Sequence, residues 1–372
     1  MVEVSSPGKL MIAGEWSVLE PGSQCVVASV ERRVHVSVEA SDRFMVDMPD
    51  LGIAFEAVME NGRLSINTGM GEEGYEKARF ASAAIETSLQ YLAENGRKTG
   101  PLKIRIWKDP AQNDILKTGF GYFASVIVSV VAGILSESGI DVSKSRDIIF
   151  KLSSVAYYRT PGRGGSSYNI AAAVHGGTFV YRRFDGEWLK NEMDDIDSGN
   201  QKLSQLVTKN WPGYYFKPAA FPESMHVCTG IIGEPVSAHS VVRQMMNFKR
   251  HSAAEYDRMM RELRGSVDYF IISLSNKDCP GMIETLRKNQ ALLSELGERS
   301  GIEMGTPKLR RLCWIAARHG GIGKISGAGK SDIGIAICFD SSDAEKIIQE
   351  WKINGIEPVD AKIAMDGVVV GK

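Results

Sequence analysis

This sequence has few cysteines, almost no net charge and no long apolar run. Each of these features narrows the class of protein before any motif is considered. Its five cysteines are scattered along 372 residues without the spacing of a zinc site, which excludes a disulfide-stapled framework and favours a reduced interior. Its formal net charge of −1 lacks the basic field that nonspecific nucleic-acid binding needs. Its longest apolar run, Tyr122–Leu135, has 14 residues and is too short to span a bilayer.

What is present is an ordinary globular composition, with 43% hydrophobic and 24% charged residues. The length predicts two domains or one large one. The amino terminus has no basic stretch before an apolar segment, so we expect no signal peptide. We therefore expect a cytoplasmic protein that binds neither nucleic acid nor a membrane.

Periodicity predicts strands and helices distributed over two lobes. Alternating apolar residues predict strands over Val26–Glu39 and Leu102–Trp107, with an amphipathic helix over Tyr75–Asn95 between them. Three prolines and a glycine make Trp211–Pro222 the best linker candidate. The sequence thus predicts an amino-terminal domain at 1–215 and a carboxy-terminal domain at 216–372.

The most informative motif is Lys117-Thr-Gly-Phe-Gly-Tyr-Phe-Ala-Ser125, which opens an apolar helix. Glycines at 119 and 121 let the chain approach a phosphate closely, and the first amides and dipole of a helix favour negative charge. A dinucleotide fingerprint also fits Gly119-x-Gly121-x-x-Ala124, but it needs a strand immediately before the first glycine. The nearest predicted strand ends near Trp107, about a dozen residues earlier. A purely structural glycine turn is the other alternative.

Two polar residues outside this loop are candidates for chemistry, and each has a plain structural alternative. Lys9, in Ser6-Pro-Gly-Lys9, can project from a Pro-Gly turn into a cleft as a fixed positive charge, or it can be a solvated loop lysine. Asn169 follows the glycine-rich loop Thr160–Ser167 and enters a tightly packed segment, as catalytic side chains often do. It can equally cap that segment.

A second glycine-rich loop, Ser326-Gly-Ala-Gly-Lys-Ser-Asp332, lies between two predicted strands. Its Gly-Lys-Ser is typical of a Walker A motif, but that motif needs a glycine at residue 324, which is lysine. An apolar strand also follows where a helix is required. Upstream, Thr306-Pro307 predicts the start of a helix. The loop therefore belongs to a different kind of site.

Taken together, in this order and spacing, the four segments resemble the galactokinase, homoserine kinase, mevalonate kinase and phosphomevalonate kinase (GHMP) superfamily. The phosphomevalonate kinase branch is the most similar, through the signature Pro-Gly-Lys-Leu and Gly-Glu-x-x-Val-Leu-Glu-Pro-Gly within Pro7–Gly22. Gly119–Ala124 corresponds to the family's Gly-Leu-Gly-Ser-Ser-Ala phosphate loop, and Ser167–Ala172 to its Gly-Phe-Asp-Val-Ala-Ala segment. Thr306-Pro-Lys-Leu and Ser326–Asp332 match its carboxy-terminal lobe, so the resemblance spans nearly the whole chain.

The resemblance implies an α+β fold of two lobes with the active site between them. One is an amino-terminal α/β lobe of the ribosomal protein S5 domain 2-like type, and the other is a ferredoxin-like carboxy-terminal lobe. It implies ATP and Mg²⁺ as cofactors and a small phosphorylated mevalonate as partner, and we expect a monomer or homodimer. The implied catalytic residues are Lys9 and Asn169, and the implied nucleotide-binding residues are Gly119, Phe120, Gly121, Tyr122, Phe123, Ala124 and Ser125. The implied acceptor-binding residues are Glu15, Ser17, Arg163, Ser166, Gly327, Ala328, Gly329, Lys330 and Asp332.

Two departures from the family pattern affect the chemistry. Tyr122 and Phe123 replace two serines, one of which contacts magnesium in the family, so the sequence does not identify a metal ligand. Asn169 replaces an aspartate often drawn as the base, and an amide cannot accept a proton at neutral pH. General-base help is worth roughly 10²–10⁴-fold, whereas phosphoryl transfer depends mainly on positioning and charge neutralisation. Asn169 also removes a negative charge while Arg163 and Lys330 add positive charge, which suits an acceptor with its own phosphate in an unusual position.

The sequence thus favours an ATP-dependent kinase of the mevalonate route that acts on the 5-side of a phosphorylated mevalonate. The departures favour mevalonate 3-phosphate, giving the 3,5-bisphosphate as in some archaea, over mevalonate 5-phosphate, giving the 5-diphosphate. Two other classes stay open, an ATP-independent decarboxylase in which Tyr122 and Phe123 fill the nucleotide site, and a non-catalytic metabolite-binding protein. The sequence does not decide whether Asp332 or His175 takes the proton from the acceptor hydroxyl.

Overall fold

The computed structural model describes residues 1–66, 69–109, 119–160, 165–233, 238–327, 329 and 333–371, without the side chains of 238–240. These residues form two lobes, each with its own sheet and helices, so the predicted two-lobed α+β fold is confirmed. Four predicted site residues, Arg163, Ala328, Lys330 and Asp332, lie outside the described residues.

The amino-terminal lobe is built on a large mixed sheet in which one long strand is central. That strand, β2 (Gln24–Ala40), pairs with β1 (Val2–Ala13) along one side, and with β6 (Leu102–Lys108) and β7 (Thr178–Arg182) along the other. The predicted strands over Val26–Glu39 and Leu102–Trp107 are confirmed as β2 and β6. The first eight strands are β1 (Val2–Ala13), β2 (Gln24–Ala40), β3 (Phe44–Met48), β4 (Ile53–Glu60), β5 (Arg63–Ile66), β6 (Leu102–Lys108), β7 (Thr178–Arg182) and β8 (Tyr215–Pro218).

Helices cover one face of this sheet, and the helix after the phosphate loop lies at their centre. Every residue of that helix from Ala124 to Leu135 is buried, as expected for a helix that is apolar all round. The predicted helix over Tyr75–Asn95 is confirmed as α1. The helices of this lobe are α1 (Glu72–Glu94), α2 (Tyr122–Glu137), α3 (Arg146–Arg159), α4 (Tyr168–His175), α5 (Gly186–Asp197) and α6 (Leu203–Leu206).

The carboxy-terminal lobe has a four-stranded antiparallel sheet. Its strands lie in the order β10 (Ile322–Ile325), β11 (Ile333–Cys338), β9 (His226–Ile231) and β12 (Glu357–Val359), which is the ferredoxin-like order expected from the resemblance. Thr306 begins a helix as predicted, since its hydroxyl accepts a bond from the Leu309 N–H at 3.1 Å. The elements are β9 (His226–Ile231), α7 (Ala238–His251), α8 (Ala253–Ser275), α9 (Cys279–Ser300), α10 (Pro307–Arg318), β10 (Ile322–Ile325), β11 (Ile333–Cys338), α11 (Ser341–Ile353) and β12 (Glu357–Val359).

The chain crosses between the lobes more than once. The proposed linker at Trp211–Pro222 contains β8, which pairs with β7 in the first sheet. The last strand, β13 (Val369–Val370), returns to pair with β1, and Ile363 forms a bridge to Val30. The first sheet therefore contains strands from each side of position 215/216. The predicted domain boundary at that position stays a prediction.

The Pro-Gly turn predicted before Lys9 is wrong, because Pro7 and Gly8 lie inside β1. The register with β2 shifts between Ser6 and Gly8, which is a β-bulge. Pro7 has no N–H to give to the ladder, and Gly8 packs so closely that a Cβ would lie 3.0 Å from the carbonyl oxygen of Phe120. Lys9 therefore extends from a strand beneath the phosphate loop.

Candidate active site

Lys9 is attached to the phosphate loop by its side chain and its backbone. Its Nζ donates to the carbonyl oxygen of Gly119 at 2.5 Å, and its backbone N–H donates to that of Phe120 at 2.9 Å. The residue is 7% exposed, and its Nζ lies 5.8 Å from the centre of the Tyr168 ring. The solvated-lysine alternative is therefore wrong, and Lys9 is a fixed positive charge.

Gly121 is the point at which three distant segments meet. Its φ of +84° is left-handed, a conformation that glycine adopts without strain. A Cβ at this position would lie 3.3 Å from Cγ of Lys9 and 3.8 Å from Cβ of Asn169. The predicted lysine, phosphate loop and asparagine thus converge at the start of α2.

The start of α2 also presents backbone N–H groups to this point. The amides of Ala124 and Ser125 donate to the carbonyl oxygen of Gly121 at 3.0 and 3.2 Å and close the first turn. The N–H groups of Tyr122 and Phe123 have no carbonyl oxygen of their own helix to donate to, as at every helix start. With the positive end of the helix dipole, they form a site suited to a phosphate.

The aromatic pair that replaces the family serines packs into the amino-terminal lobe. Phe123 stacks on Phe80 of α1 with ring centres 4.3 Å apart, and Tyr122 meets Phe123 edge-on at 5.3 Å. The Tyr122 hydroxyl is buried without a hydrogen-bond partner among the described residues. Burial, and to a smaller extent the charge of Asp50, raise the pKa of Tyr122. The pair therefore supports the helix start hydrophobically and places no ionised oxygen there.

Three other residues of the predicted nucleotide loop face the protein interior. The Ser125 hydroxyl donates to the carbonyl oxygen of Pro7 at 2.8 Å and so joins α2 to the bulge in β1. Phe120 and Ala124 are 1% and 2% exposed, and Phe120 belongs to an apolar layer that both lobes share. For these three residues, the backbone is the part of the residue that can reach a nucleotide.

Asn169 lies in the first turn of α4, where its Oδ1 accepts a hydrogen bond from the Ile170 N–H at 3.0 Å. The capping alternative is therefore wrong, because the N-cap of α4 is Ser167 and Asn169 lies inside the helix, beside Gly121. Nearby, the carbonyl oxygen of buried Ser166 accepts a bond from the Tyr181 hydroxyl at 2.6 Å. Because an aspartate could accept the same bond from Ile170, the asparagine differs from the family residue in charge more than in shape.

The two acceptor residues predicted from the amino-terminal signature, Glu15 and Ser17, are both buried. Glu15 forms an ion pair with Lys324 of β10, and neither side chain has exposed surface. The Ser17 hydroxyl donates to the carbonyl oxygen of Gly14 at 3.4 Å, within a short 3-10 turn. Direct contact of either residue with an acceptor stays a prediction.

Ser326 attaches the carboxy-terminal glycine loop to β1. Its hydroxyl donates to the carbonyl oxygen of Met11 at 2.9 Å and accepts from the Met11 N–H at 3.1 Å. Gly327 follows it with a φ of +149°, and Gly329 is packed so that a Cβ would lie 2.7 Å from Cγ of Met304. The loop thus starts beside the strand that carries Lys9.

Sequence reasoning missed two of the residues that place this loop, Ser326 and Lys324. The hydroxyl of Ser326 has no sequence signal that distinguishes it from a surface serine. Lys324 does have one, since it is a charged residue inside the apolar strand Ile322–Ile325. A lysine in such a strand is almost never fully buried unless it is paired, so a buried partner could have been sought.

Comparisons with known proteins show which group of proteins this chain is similar to. The phosphomevalonate kinase of Streptomyces sp. strain CL190 is 27% identical over 98% of this chain and 97% of its own length. That of Saccharolobus solfataricus is 23% identical over 97% of each. The solved structure of Streptococcus pneumoniae phosphomevalonate kinase, in complex with phosphomevalonate and AMPPNP, matches with a TM-score of 0.81. The chain belongs to the GHMP kinase superfamily.

Within the GHMP superfamily, the chain stands on the phosphomevalonate kinase branch, and it is a kinase. The Streptococcus structure covers 98% of this chain and 100% of its own at 22% identity, which by itself shows the shared fold. A Listeria innocua protein, Lin0012, matches with a TM-score of 0.87 and 26% identity over 100% of this chain and 99% of its own. No family profile matches the chain.

His175 lies away from the convergence point of this GHMP kinase. It ends α4, at the opposite end from Asn169, and its ring lies 4.2 Å from that of Phe216 and 6.1 Å from that of Phe150, between centres. Burial first, and then the charge of Arg146, lower the pKa of His175 to about 4. The ring is therefore neutral at pH 7 and enclosed by aromatic side chains.

The described part of the chain does not identify the magnesium ligands that GHMP kinases imply. No three His, Cys, Asp or Glu side chains within it are grouped so as to hold a metal ion. Asp332, the carboxylate of the carboxy-terminal glycine loop, lies outside that part. Among the helices that are described, none is both long and apolar enough to cross a membrane.

Proposed function

We propose that this kinase transfers the γ-phosphoryl group of ATP to a phosphorylated mevalonate on its 5-side. The observation that carries the proposal is the meeting of Lys9, Gly121 and Asn169 at the start of α2. It places a fixed positive charge, an anion-binding helix start and a neutral amide around one point. Relatives that cover nearly the whole chain and are named phosphomevalonate kinase support the class of acceptor.

In this mechanism the N–H groups of Tyr122 and Phe123 bind the nucleotide phosphates, as helix starts do. Lys9 neutralises the charge that develops on the transferring group and on the acceptor oxygen. Its bond to Gly119 fixes the direction of the ammonium, so little reorganisation is needed during transfer. The described residues offer no group of three carboxylate, histidine or cysteine side chains that could hold Mg²⁺.

For the acceptor, we propose mevalonate 3-phosphate, which would be phosphorylated on its 5-hydroxyl to give the 3,5-bisphosphate. The residue that supports this choice is Asn169, which lies beside the same glycine as Lys9. An acceptor that brings its own phosphate to this point would be repelled by a carboxylate at position 169. An amide adds no negative charge and can donate a hydrogen bond to the phosphate.

Mevalonate 5-phosphate is the second candidate acceptor, and a different consideration favours it. Its reacting oxygen belongs to a phosphate group, whose second pKa of about 6 leaves it ionised at neutral pH. Such an acceptor needs no base, which agrees with the amide of Asn169. The relatives from Streptomyces and Saccharolobus carry the name of that reaction.

Steady-state assays of the purified chain with ATP and Mg²⁺ would decide between these acceptors. We expect ADP release with mevalonate 3-phosphate and a product that carries two phosphates by mass spectrometry. Turnover with mevalonate 5-phosphate alone would overturn the choice of acceptor and leave the kinase assignment intact. Release of CO₂ without ATP, together with no AMPPNP binding by calorimetry, would instead establish the decarboxylase.

A further inference from the structure

Glu15 and Lys324 form a buried ion pair between the two lobes. The Lys324 ammonium donates to Oε1 of Glu15 and, at 2.6 Å, to the carbonyl oxygen of Ile325. Both side chains are 0% exposed. Glu15 follows β1 in the amino-terminal lobe, whereas Lys324 lies in β10 of the carboxy-terminal lobe, so their bond joins two separately built sheets.

A buried ion pair contributes little to stability compared with two apolar side chains. Removing both charges from water costs about as much as their attraction returns, and apolar replacements of similar volume are often neutral or stabilising. What an ion pair adds is a fixed placement of the two segments that carry it, because its geometry is directional. The pair between Glu15 and Lys324 is therefore better explained by what it positions.

Lys324 lies two residues before Ser326, whose hydroxyl makes the two bonds to Met11. The strand that leads into the glycine loop is thus fixed to the β1 segment at two places, Ser326 on Met11 and Lys324 on Glu15. With a single attachment, the strand could still rotate about that point. Two attachments fix both the position and the direction of the strand. Lys9 lies on the same strand, two residues before Met11, so both attachments also set where the loop starts relative to Lys9.

Glu15 also acts electrostatically on the helix that carries Asn169. Burial first, and then electrostatic interaction with Cys25 and with Glu15, raise the pKa of Tyr168, the residue before Asn169. The residue after Glu15, Trp16, is 4% exposed and belongs to the hydrophobic core of the carboxy-terminal lobe. Glu15 therefore lies at the junction of the lobes, ion-paired with Lys324 and followed by a residue of the carboxy-terminal core.

We propose that Glu15 and Lys324 are a positioning pair for phosphoryl transfer. They do not touch the acceptor; they hold the strand that leads into Gly327 in a fixed orientation to the strand that carries Lys9. This inference rests on the proposed function for its kinetic consequence. It differs from the role that the family resemblance implies for Glu15, which is direct acceptor binding, because it makes Lys324 equally important.

The test compares the single variants Glu15→Gln and Lys324→Met with the double variant Glu15→Leu/Lys324→Met. The double variant leaves no orphan charge, so we expect it to fold even where a single variant does not. We expect its kcat to fall on the order of 100-fold, as misplacement by about 1 Å does, with AMPPNP and acceptor affinities near those of the wild type. Because the two residues act as a unit, Lys324→Met should lose as much as the double variant.

Glu20→Gln is the matched control for these variants. Glu20 accepts bonds from Lys249 at 2.9 Å and from Tyr256 at 2.6 Å, so it also links the lobes, but it keeps exposed surface. We expect kcat near that of the wild type for this variant. Wild-type kcat in the double variant would overturn the proposal, and so would acceptor binding that weakens in Glu15→Gln and not in Lys324→Met.

Amide hydrogen exchange tests the pair without relying on turnover. We expect faster exchange over Ile322–Gly327 in the double variant and unchanged exchange there in Glu20→Gln. If the wild type turned over neither mevalonate phosphate, the proposed function would fail, and the exchange comparison would still decide the role of the pair. Equal protection of Ile322–Gly327 in the wild type and the double variant would refute it.

Discussion

The Nζ atom of Lys9 lies 2.5 Å from the carbonyl oxygen of Gly119, so the protein itself holds the ammonium on the phosphate loop. The same lysine borders Gly121 through its Cγ and lies over the Tyr168 ring. A charge that is held in this way does not have to be ordered by the substrate. Its contribution should therefore be expressed in the rate of transfer more than in binding.

Lys9→Met tests this role, because methionine keeps most of the aliphatic stem and removes the charge. We expect kcat to fall on the order of 10²–10³-fold, the usual cost of removing one preorganised electrostatic contact. The melting temperature and the affinity for AMPPNP should change little. A fall in acceptor affinity with kcat preserved would contradict the role and make Lys9 a binding residue.

Gly121→Ala should impair both folding and catalysis, because the left-handed backbone is strained by a Cβ and the methyl group would press on Lys9. Gly52→Ala is the control, since Gly52 is also left-handed, at φ +64°, and has nothing within 4 Å of a Cβ. We expect the control to lose about 1–2 kcal/mol of unfolding free energy in urea titrations. Gly121→Ala should lose more and should also lower kcat; equal losses would show that the contact with Lys9 has no consequence.

The sequence predicts those parts of this kinase whose signals are local. Alternating valines at 34, 36 and 38 predict β2, and they are buried as expected. The glycines at 119 and 121 predict an anion site at a helix start, and Gly121 is the residue that immediately precedes α2 as its N-cap. These features depend on neighbouring residues along the chain, which is the information that periodicity and turn chemistry contain.

The features that sequence reasoning missed depend on partners far along the chain. Lys324 and Glu15 are 309 residues apart, and Ser326 and Met11 are 315 apart. The bulge at Pro7 and Gly8 depends on the close approach of the Phe120 carbonyl, so a local reading of Pro-Gly as a turn was wrong. Tertiary packing, which no local pattern encodes, decides each of these cases.

Asn169→Asp isolates the charge at position 169, because aspartate can accept the same bond from the Ile170 N–H. We expect the apparent affinity for the phosphorylated acceptor to weaken roughly tenfold, since a like charge beside a phosphate costs about 1.4 kcal/mol at intermediate dielectric. Steady-state kinetics with each mevalonate phosphate would measure this. If Asn169→Asp instead reacted faster with mevalonate 3-phosphate, a base at position 169 would help the reaction. That result would contradict the argument that the asparagine is there to avoid a negative charge.

Tyr122 and Phe123 should respond in opposite ways to loss of their side-chain groups. Tyr122→Phe removes a buried hydroxyl that has no partner among the described residues, so we expect unfolding free energy to rise by up to about 1 kcal/mol. Phe123→Ala removes the ring that stacks on Phe80 and should cost roughly 2–3 kcal/mol. Chemical denaturation measures both. A large loss of stability in Tyr122→Phe would mean that its hydroxyl is bonded in solution.

His175 predicts a specific loss of stability in acid. Its pKa is lowered to about 4 in the folded protein by burial and by Arg146, with Asp147 opposing, whereas an unfolded histidine has a pKa near 6.5. The unfolded chain therefore binds the proton first, so the stabilisation is present above pH 6.5 and is lost as the pH falls toward 4. Between pH 7.5 and pH 4.5 the wild type should lose roughly 2–3 kcal/mol more unfolding free energy than His175→Gln. The carboxylates that titrate in this range are present in both proteins, so their contribution cancels in the comparison. If the wild type and His175→Gln lost equal unfolding free energy, the imidazole of His175 would be hydrated in the folded state.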